Sequence, residues 1–487
     1  MDHRNLHIVV VSTPGIGHVI PVLVLAKRLA TLHGVRVTIV RVTVAGAPPE
    51  PKLFTVPYPD DLVRILQLPP VDISHVVDES TQIVTRLFMM FRAAASSLRS
   101  AISALEPRPD AIVADLFSVE TPGICTGEFD DIPKFYFIAS NAWFSALAIY
   151  SPILDREIAG EYADLHEKLA IPGCVSVAPE DVPDPMLDRN DEQYGEYLKI
   201  GRSIPLFDGI LISTWEELEK ETLKAFRENE TWKSIIDIPV YPIGPLTRPA
   251  GELKPSSELF SWLDKQPDDS VLFVSFGSGG VLSPEQTTEL AWGLELSRQR
   301  FVWVVRPPTS GRADDEFFTV GGERSQETLA HLPEGFVART GERAILIPMW
   351  AEQLEILSHP AVGGFLSHCG WNSTLESITN GIPMIAWPLY AEQRMNATLL
   401  TDQLSVAVRP AVLPAKKVVS REEVARLVRS VMEDDETGRR MRERAQQLKI
   451  TGAEALINGG SSHKSLSQLL SKITASKKKQ PTTPLLM

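Results

Sequence analysis

Two doubly wound α/β domains, each a parallel sheet with helices on both faces, are what this chain predicts, on three observations. Short Val- and Ile-rich apolar runs alternate with helical patterns through both halves, as repeated strand–helix units do. At 487 residues the chain exceeds what one hydrophobic core sustains. Between the halves, Tyr241-Pro242-Ile243-Gly244-Pro245 through Lys254-Pro255-Ser256-Ser257 is rich in Pro, Gly and Ser and reads as a linker. The expected division is a first domain at 1–245, a linker at 246–258 and a second domain at 259–460, then a helical stretch at 461–473 and a frayed tail at 474–487. The two Rossmann-like domains are expected to face one another across a cleft.

The first element is the run 6–12, suited to a buried parallel strand, which empties into Thr13-Pro14-Gly15-Ile16-Gly17-His18. Pro21 then stands at the start of an apolar helical pattern that ends at Gly34. Strand, tight turn and helix also suit a nicotinamide dinucleotide site, but that fingerprint needs a third glycine in the helix and an acidic residue ending the next strand. The next strand, 35–42, carries Arg41 and ends without Asp or Glu, so that reading fails. What the turn presents is His18 at the mouth of an open sheet, where ligands collect. The strand Ala111-Ile112-Val113-Ala114-Asp115 ends in one carboxylate, which puts Asp115 at the same edge. Taken singly, His18 reads as a helix-start residue and Asp115 as a cap for a turn. Together they make a dyad, in which the carboxylate orients the imidazole and stabilises its protonated form.

In the second half, a strand at 271–275 leads into Phe276-Gly277-Ser278-Gly279-Gly280, whose glycines permit close backbone approach to a phosphate. Ser283-Pro284-Glu285-Gln286 opens a helix with a capping-box pattern, and 301–306 follows as a strand. Residues 307–327, with Asp314-Asp315-Glu316, are polar and read as a mobile loop. Further strands are expected at 344–350, 363–368 and 383–388. The apolar run 362–366 hands over, through His368-Cys369-Gly370-Trp371-Asn372-Ser373, to a helix that runs to Asn380 and stops at Gly381. A helix N-terminus offers backbone N–H groups and a positive partial charge, so it binds phosphate without a metal, and His368, Asn372 and Ser373 add donors. The plainer reading is that Asn372 or Ser373 only caps the helix.

Over its whole length, 350–393 resembles the C-terminal signature box of plant family 1 glycosyltransferases, which use UDP-sugars and have the GT-B fold. The resemblance implies UDP-glucose as co-substrate, with no further cofactor and no metal. It implies that Trp350 stacks on uracil, that Gln353 and Glu376 hold the ribose, that His368, Asn372 and Ser373 bind phosphate, and that Glu392 and Gln393 hold the sugar hydroxyls. Ala351 and Trp371 count among the same donor-binding residues. The family's catalytic His, after a Pro-Gly-x-Gly turn, matches His18, and its Asp partner matches Asp115. Gln393 at the end of the box implies glucose, where His would imply galactose.

The chain departs from the family at Glu352, where proline is usual; the exchange is expected to loosen the backbone behind the uracil shelf. Where the family often has Thr-Thr reaching the sugar 6-hydroxyl, this chain has Ile138-Ala139-Ser140-Asn141, with Ser140 as the candidate substitute. To about Ser471 the chain is similar to the phenol-glucosylating branch that includes arbutin synthase, through 169–177, 274–280 and 385–393. That branch accepts hydroquinone, phenylpropanoid phenols and in some cases aryl amines or indolic hydroxyls. The resemblance also returns the stretch 461–473 to the first domain.

A base that activates an acceptor hydroxyl opposite the α-linked UDP gives displacement with inversion and a β-glucoside. No Asp-x-Asp motif occurs, so the helix N-terminus, His368 and the hydroxyls of Ser278 and Ser373 are expected to take up the charge on departing UDP. Acceptor-lining candidates are Leu116, Phe117, Trp143 and Phe144, each of which reads equally well as core. Two other readings stand beside the transferase. A UDP-sugar epimerase-like enzyme would convert the donor with no acceptor present; a catalytically silent UDP-sugar-binding protein is disfavoured by the presence of both His18 and Asp115.

A net charge of −14 with no basic face weighs against nucleic acid, and the lysines at 477–479 read as part of the tail. The chain shows no run long enough to span a bilayer, and Met1-Asp2-His3-Arg4 lacks signal-peptide character, so a cytosolic monomer acting on UDP-glucose and a small hydrophobic aromatic acceptor is expected. Cys125, Cys174 and Cys369 are widely spaced and fit reduced thiols. His3 and His7 have helical spacing, but His7 falls in a strand, so they make no metal pair.

Overall fold

Among the described residues, seven short strands make the first sheet: β1 (His7–Ser12), β2 (Arg36–Arg41), β3 (Val63–Gln67), β4 (Ala111–Asp115), β5 (Lys134–Ile138), β6 (Gly209–Ile212) and β7 (Val240–Pro242). The structure, a computed structural model, describes residues 5–44, 62–78, 80–251, 257–309 and 328–478. All neighbours in this sheet are parallel, in the order β3-β2-β1-β4-β5-β6-β7. The chain starts in mid-sheet, builds outward to β3, then returns to the other side of β1. That reversal makes β1 and β4 neighbours and opens a crevice at their carboxyl ends.

The central strands β1, β4 and β5 are buried on both faces, which is why they read as near-continuous apolar runs. Helix Ile16–His33 packs Val19, Val22, Leu25 and Leu29 into one core layer, and the terminal helix Ser461–Lys477 adds Leu466, Leu469, Leu470 and Ile473 to it. Helix Ile83–Ser103 covers the other layer with Phe91, Ala94, Leu98 and Ile102. Helix Ile16–His33 is by length and composition alone apolar enough to cross a membrane, against the expectation that no such run exists. Its buried residues pack on the sheet, and Lys27 and Arg28 interrupt it, as in a core helix. It starts five residues before Pro21, because Gly15 at φ 104° makes the turn directly before Ile16.

The second sheet has six parallel strands: β8 (Val271–Ser275), β9 (Arg300–Val305), β10 (Ala344–Pro348), β11 (Val362–Ser367), β12 (Met384–Ala386) and β13 (Ala407–Val408). Their order, β10-β9-β8-β11-β12-β13, repeats the reversal, here between β8 and β11. Helices Pro284–Ser297 and Arg421–Met432 supply Leu290, Leu294, Val424, Leu427, Val428 and Val431 to its core.

The chain divides into one unit of Met1–Ser176, Pro185–Leu246 and Glu454–Met487 and another of Val177–Asp184 and Thr247–Ala453. The sequence reading gave Val177–Asp184 to the first domain; Asp181 and Asp184 instead bond to Thr398, Arg409 and Arg394. Tyr241 and Pro242, read as the start of the linker, end an edge strand, a position where proline's missing N–H costs no ladder bond. The helix expected to stop at 473 continues to Lys477. Residues 252–256 of the linker, 310–327 of the polar loop, 479–487 of the tail and His3 lie outside the described residues.

Candidate functional site

The crevice of the first unit gathers the dyad. Val11 pairs with Ala114, so the next residues of β1 and β4 leave the sheet side by side, bringing Thr13 against Asp115. His18 is the third residue of its helix, one turn past Gly15, and its backbone N–H donates to the Gly15 carbonyl at 3.0 Å. Its Nδ1 lies 3.3 Å and 3.2 Å from the two Asp115 carboxylate oxygens. Asp115 also accepts from the Thr13 N–H at 3.2 Å, from the Thr13 hydroxyl, and from the Leu116 N–H at 2.7 Å.

Asp115 has no exposed surface, and burial alone would raise its carboxyl. The charge and hydrogen bond of His18, with the hydrogen bonds from Thr13 and Leu116, outweigh that and hold it below the usual range. A buried carboxylate can only accept, so Nδ1 of His18 carries a proton toward it and Nε2 is the nitrogen left to take another. The His18 side chain is 15% exposed, enough to meet a ligand. Asp115 does the work of a turn cap and of a ring partner together, so the two sequence readings of it are compatible.

Around the dyad, the Phe117 ring sits 5.0 Å from that of His18, and Phe88 meets Phe117 edge-on at 5.4 Å. Phe117 therefore adjoins His18, and Leu116 bonds through its N–H to the Asp115 carboxylate. Trp143 has 0% exposed surface, and its buried Nε1 has no hydrogen-bond partner. Phe144 lies 6.4 Å from Tyr197, ring to ring, and is nearly buried. Asn141 caps the helix Ala142–Glu157 by accepting from the Phe144 N–H at 2.7 Å, and buried Glu219 accepts from the N–H groups of Ala142 and Trp143. Burial pushes the Glu219 carboxyl up to about 6 against those bonds. Ser140, beside this cap, is buried.

In the second unit, the loop after β8 and the loop after β11 flank its reversal. His368 follows β11, Cys369 takes φ 66°, and Gly370 begins a helix, Trp371–Asn380, that no side chain caps and that Gly381 ends at φ 76°. Asn372 and Ser373 are thus in the first helical turn, and the capping reading falls. A Cβ on Gly277 or on Gly370 would come within 2.5 Å of the His368 ring, so the two glycines are what let the imidazole lie between these loops. Burial lowers His368 to about 4, which keeps it neutral, and its buried Nδ1 has no hydrogen-bond partner. An orphaned ring nitrogen beside a helix N-terminus is what a phosphate oxygen would satisfy. Ser278 is half-buried, and its carbonyl accepts from the Arg306 guanidinium.

Gln353 Nε2 donates to Ser373 Oγ at 2.9 Å and to Glu376 Oε2 at 2.8 Å. Burial pushes the Glu376 carboxyl up to about 7, against the pull of the Gln353 bond and of Arg248, while Glu355 adds to the rise. Trp350 is 43% exposed, an apolar plate left open beside Met349 at φ 66°. Ala351 and Trp371 are buried. Glu352 holds φ −73°, within the range proline would impose. Gln393 accepts through Oε1 from the N–H groups of Leu389 and Tyr390 at 2.9 and 3.1 Å, leaving its amide N–H groups for a ligand, and Glu392 precedes it at the helix start. Asn396 donates to the Cys369 carbonyl at 2.9 Å, tying this helix to the His368 loop.

Sequence reasoning missed Thr13, Arg306 and Asn396. Thr13 carried a signal, standing between a strand and a Pro-Gly turn; the other two act through backbone carbonyls and carried none. Cys125, Cys174 and Cys369 are free thiols, and among the described residues no group of three or more His, Cys, Asp or Glu could hold a metal ion.

Residues 248–441 match the family described as UDP-glucoronosyl and UDP-glucosyl transferase. The chain is 51% identical to anthocyanidin 3-O-glucosyltransferase 5 of Manihot esculenta, over 95% of this chain and 94% of that one. It is 41% identical to hydroquinone glucosyltransferase of Rauvolfia serpentina, over 97% of this chain and 98% of that one. A structure of Phytolacca americana UGT2 complexed with UDP-2fluoro-glucose and pterostilbene superposes with a TM-score of 0.84 at 36% identity, covering 96% of this chain and all (100%) of that one.

Proposed function

This chain belongs to the UDP-glycosyltransferases and is a UDP-glucosyltransferase, and from that premise we propose that it transfers glucose, with inversion, to the hydroxyl of a small aromatic acceptor, phenolic or indolic. The observation that carries the reading is the His18–Asp115 pair: a ring held through Nδ1 by a fully buried carboxylate, at a sheet edge, with Leu116 and Phe117 alongside. The acceptor hydroxyl gives its proton to Nε2 of His18 as its oxygen attacks the anomeric carbon. The bond from that carbon to the UDP oxygen breaks on the opposite face, so an α-linked donor yields a β-glucoside and UDP. Asp115 stabilises the imidazolium formed in that step.

For the donor, Trp350 offers its open face to uracil, and Gln353 and Glu376 offer an amide and a carboxylate to the ribose. The pyrophosphate falls to the helix N-terminus at Gly370, with His368, Asn372, Ser373 and Ser278, which absorb the charge of departing UDP without a metal. Glu392 and Gln393 take the sugar hydroxyls. A single-ring acceptor is supported by the hydroquinone that one relative's name specifies, while the anthocyanidin of another and the pterostilbene bound to the Phytolacca protein are larger phenols that make flavonoids the competing acceptor class. A phenol also loses its proton more readily than an aliphatic alcohol, which eases the demand on His18.

The test is a panel of single-ring phenols, indolic hydroxyls, anilines and flavonoids with UDP-glucose, read by mass spectrometry, with the anomeric configuration of each product read by NMR. Glucosylation of single-ring or indolic hydroxyls with a β linkage is expected. Flavonoids far outperforming single rings would overturn the acceptor class, and an α linkage would overturn inversion.

A further inference from the structure

The segment Val177–Asp184 groups with the second unit although the chain on both sides of it groups with the first. Its attachment is concentrated on the helix that follows Glu392. Asp184 Oδ2 accepts the Ala391 N–H at 2.6 Å, the Asp184 N–H donates to the Ala391 carbonyl at 3.3 Å, and Asp184 Oδ1 accepts from the Arg394 guanidinium. The same guanidinium donates to the Val182 carbonyl at 3.0 Å. Asp181 fixes the far end of the helix, accepting from the Thr398 hydroxyl at 2.6 Å and pairing with Arg409 at 3.2 Å.

What these bonds hold is a strained backbone. Ala391 stands at φ 54°, a left-handed conformation that a residue with a Cβ rarely adopts, and the next two residues are Glu392 and Gln393. Gln393 closes the loop from inside by accepting from Leu389 and Tyr390, but nothing in that closure reaches Ala391. Asp184 does, on both its N–H and its carbonyl.

We infer that Asp184, held by Arg394, is a positioning residue that fixes the Ala391 turn and thereby aims Glu392 and Gln393 at the sugar. This rests on the reading that Glu392 and Gln393 hold the glucose hydroxyls. It predicts a split between the two halves of the donor: loosening the turn costs the sugar its hold while the uridine and phosphate contacts, which lie on other loops, stay in place.

The experiment compares kcat/KM for UDP-glucose with the Kd of UDP measured by calorimetry. Gln393→Ala comes first: kcat/KM falls about tenfold with the Kd of UDP unchanged within about twofold if the sugar reading holds, and no fall removes that reading and the inference with it. Asp184→Ala is expected to show the same split. Asp184→Asn, which keeps the carbonyl oxygen for the Ala391 N–H and loses the charge facing Arg394, is expected to fall between, and it serves as the reporter if the alanine variant misfolds. The decisive variant is Asp184→Ala with Ala391→Gly, since glycine adopts a positive φ without a side-chain penalty and needs no clamp. It recovers at least a part, about threefold, of what Asp184→Ala loses. Equal losses for UDP and UDP-glucose, a kcat/KM unchanged by Asp184→Ala while Gln393→Ala lowers it, or no recovery with glycine would each overturn the inference.

Discussion

Replacing His18 with alanine removes the proposed base while leaving its buried partner satisfied, which makes it a sharp perturbation. Asp115 keeps three of its donors, the Thr13 N–H, the Thr13 hydroxyl and the Leu116 N–H, so the buried carboxylate remains satisfied. The loss to folding includes the charge-assisted hydrogen bond to Asp115, about 1–3 kcal/mol, and the ring's packing on Phe117. The loss to chemistry is larger. General-base assistance is worth about 10²–10⁴ in rate, equivalent to about 3–5 kcal/mol of barrier, so kcat should fall by that factor while the Kd of UDP, bound in the second unit, stays constant.

The nature of the acceptor then separates a missing base from a misshapen pocket. With an ordinary phenol, pKa about 10, the enzyme must remove the proton, and the whole loss is expected. With a phenol whose pKa lies near the assay pH, much of the acceptor arrives as phenolate and the variant should approach within about tenfold of the parent. Initial rates of His18→Ala and the parent protein on a series of substituted phenols, at one pH and saturating UDP-glucose, give the two slopes. A variant whose deficit is the same for every phenol would refute the base assignment, because a distorted pocket does not sense acceptor pKa.

Three further outcomes follow from the donor residues. Trp350→Ala leaves the thermal midpoint nearly unchanged, because the ring is already open to solvent, but loses base stacking worth about 1–3 kcal/mol; UDP calorimetry showing less than about a threefold change would count against the uracil role. Gly370→Ala puts a Cβ 2.5 Å from His368 Nε2 and must displace the ring, so the Kd of UDP should rise about tenfold with the circular dichroism spectrum intact; an unchanged Kd would separate His368 from phosphate binding. Glu376 has its folded pKa raised from 4.5 to about 7, so its protonated form is favoured in the native state. Its contribution to stability is therefore full below about pH 4.5 and is lost as pH rises through about 7, by about 3 kcal/mol. Glu376→Gln mimics the protonated form and should melt at a higher temperature than the parent at pH 8 and at a similar one at pH 4.5, in the absence of UDP; a lower midpoint at pH 8 would contradict the buried-acid picture.

What the sequence made legible follows the range over which each signal acts. The strand Ala111–Asp115 and the helix ending at Asn380 with Gly381 could be read directly, because burial on both faces and a left-handed stop are local facts about a few residues. The edge strand ending at Pro242 was lost in a linker because an edge imposes almost no pattern and tolerates proline. The loops that carry the proposed donor residues could be placed because those residues are close in the chain and the loops follow strands.

Trp143 was ambiguous for the opposite reason: an aromatic residue on an apolar helix looks alike whether it walls a pocket or fills a core. Asp184 could not be found at all, since it lies 207 residues before the Ala391 N–H it accepts and stands in no motif. The strain it answers was equally invisible, because nothing in the letters of Tyr390-Ala391-Glu392 announces a positive φ on an alanine. A functional loop written with an ordinary residue at a left-handed position needs an outside brace to hold it. Met349 and Cys369, at φ 66° beside Trp350 and His368, pose the same requirement, and Asn396 at the Cys369 carbonyl meets it in one of them. Among the described residues, the non-glycine positions at positive φ all fall in this unit; Met349, Cys369 and Ala391 stand beside residues proposed to grip the donor, while Asp269, Arg298 and Ser405 stand elsewhere.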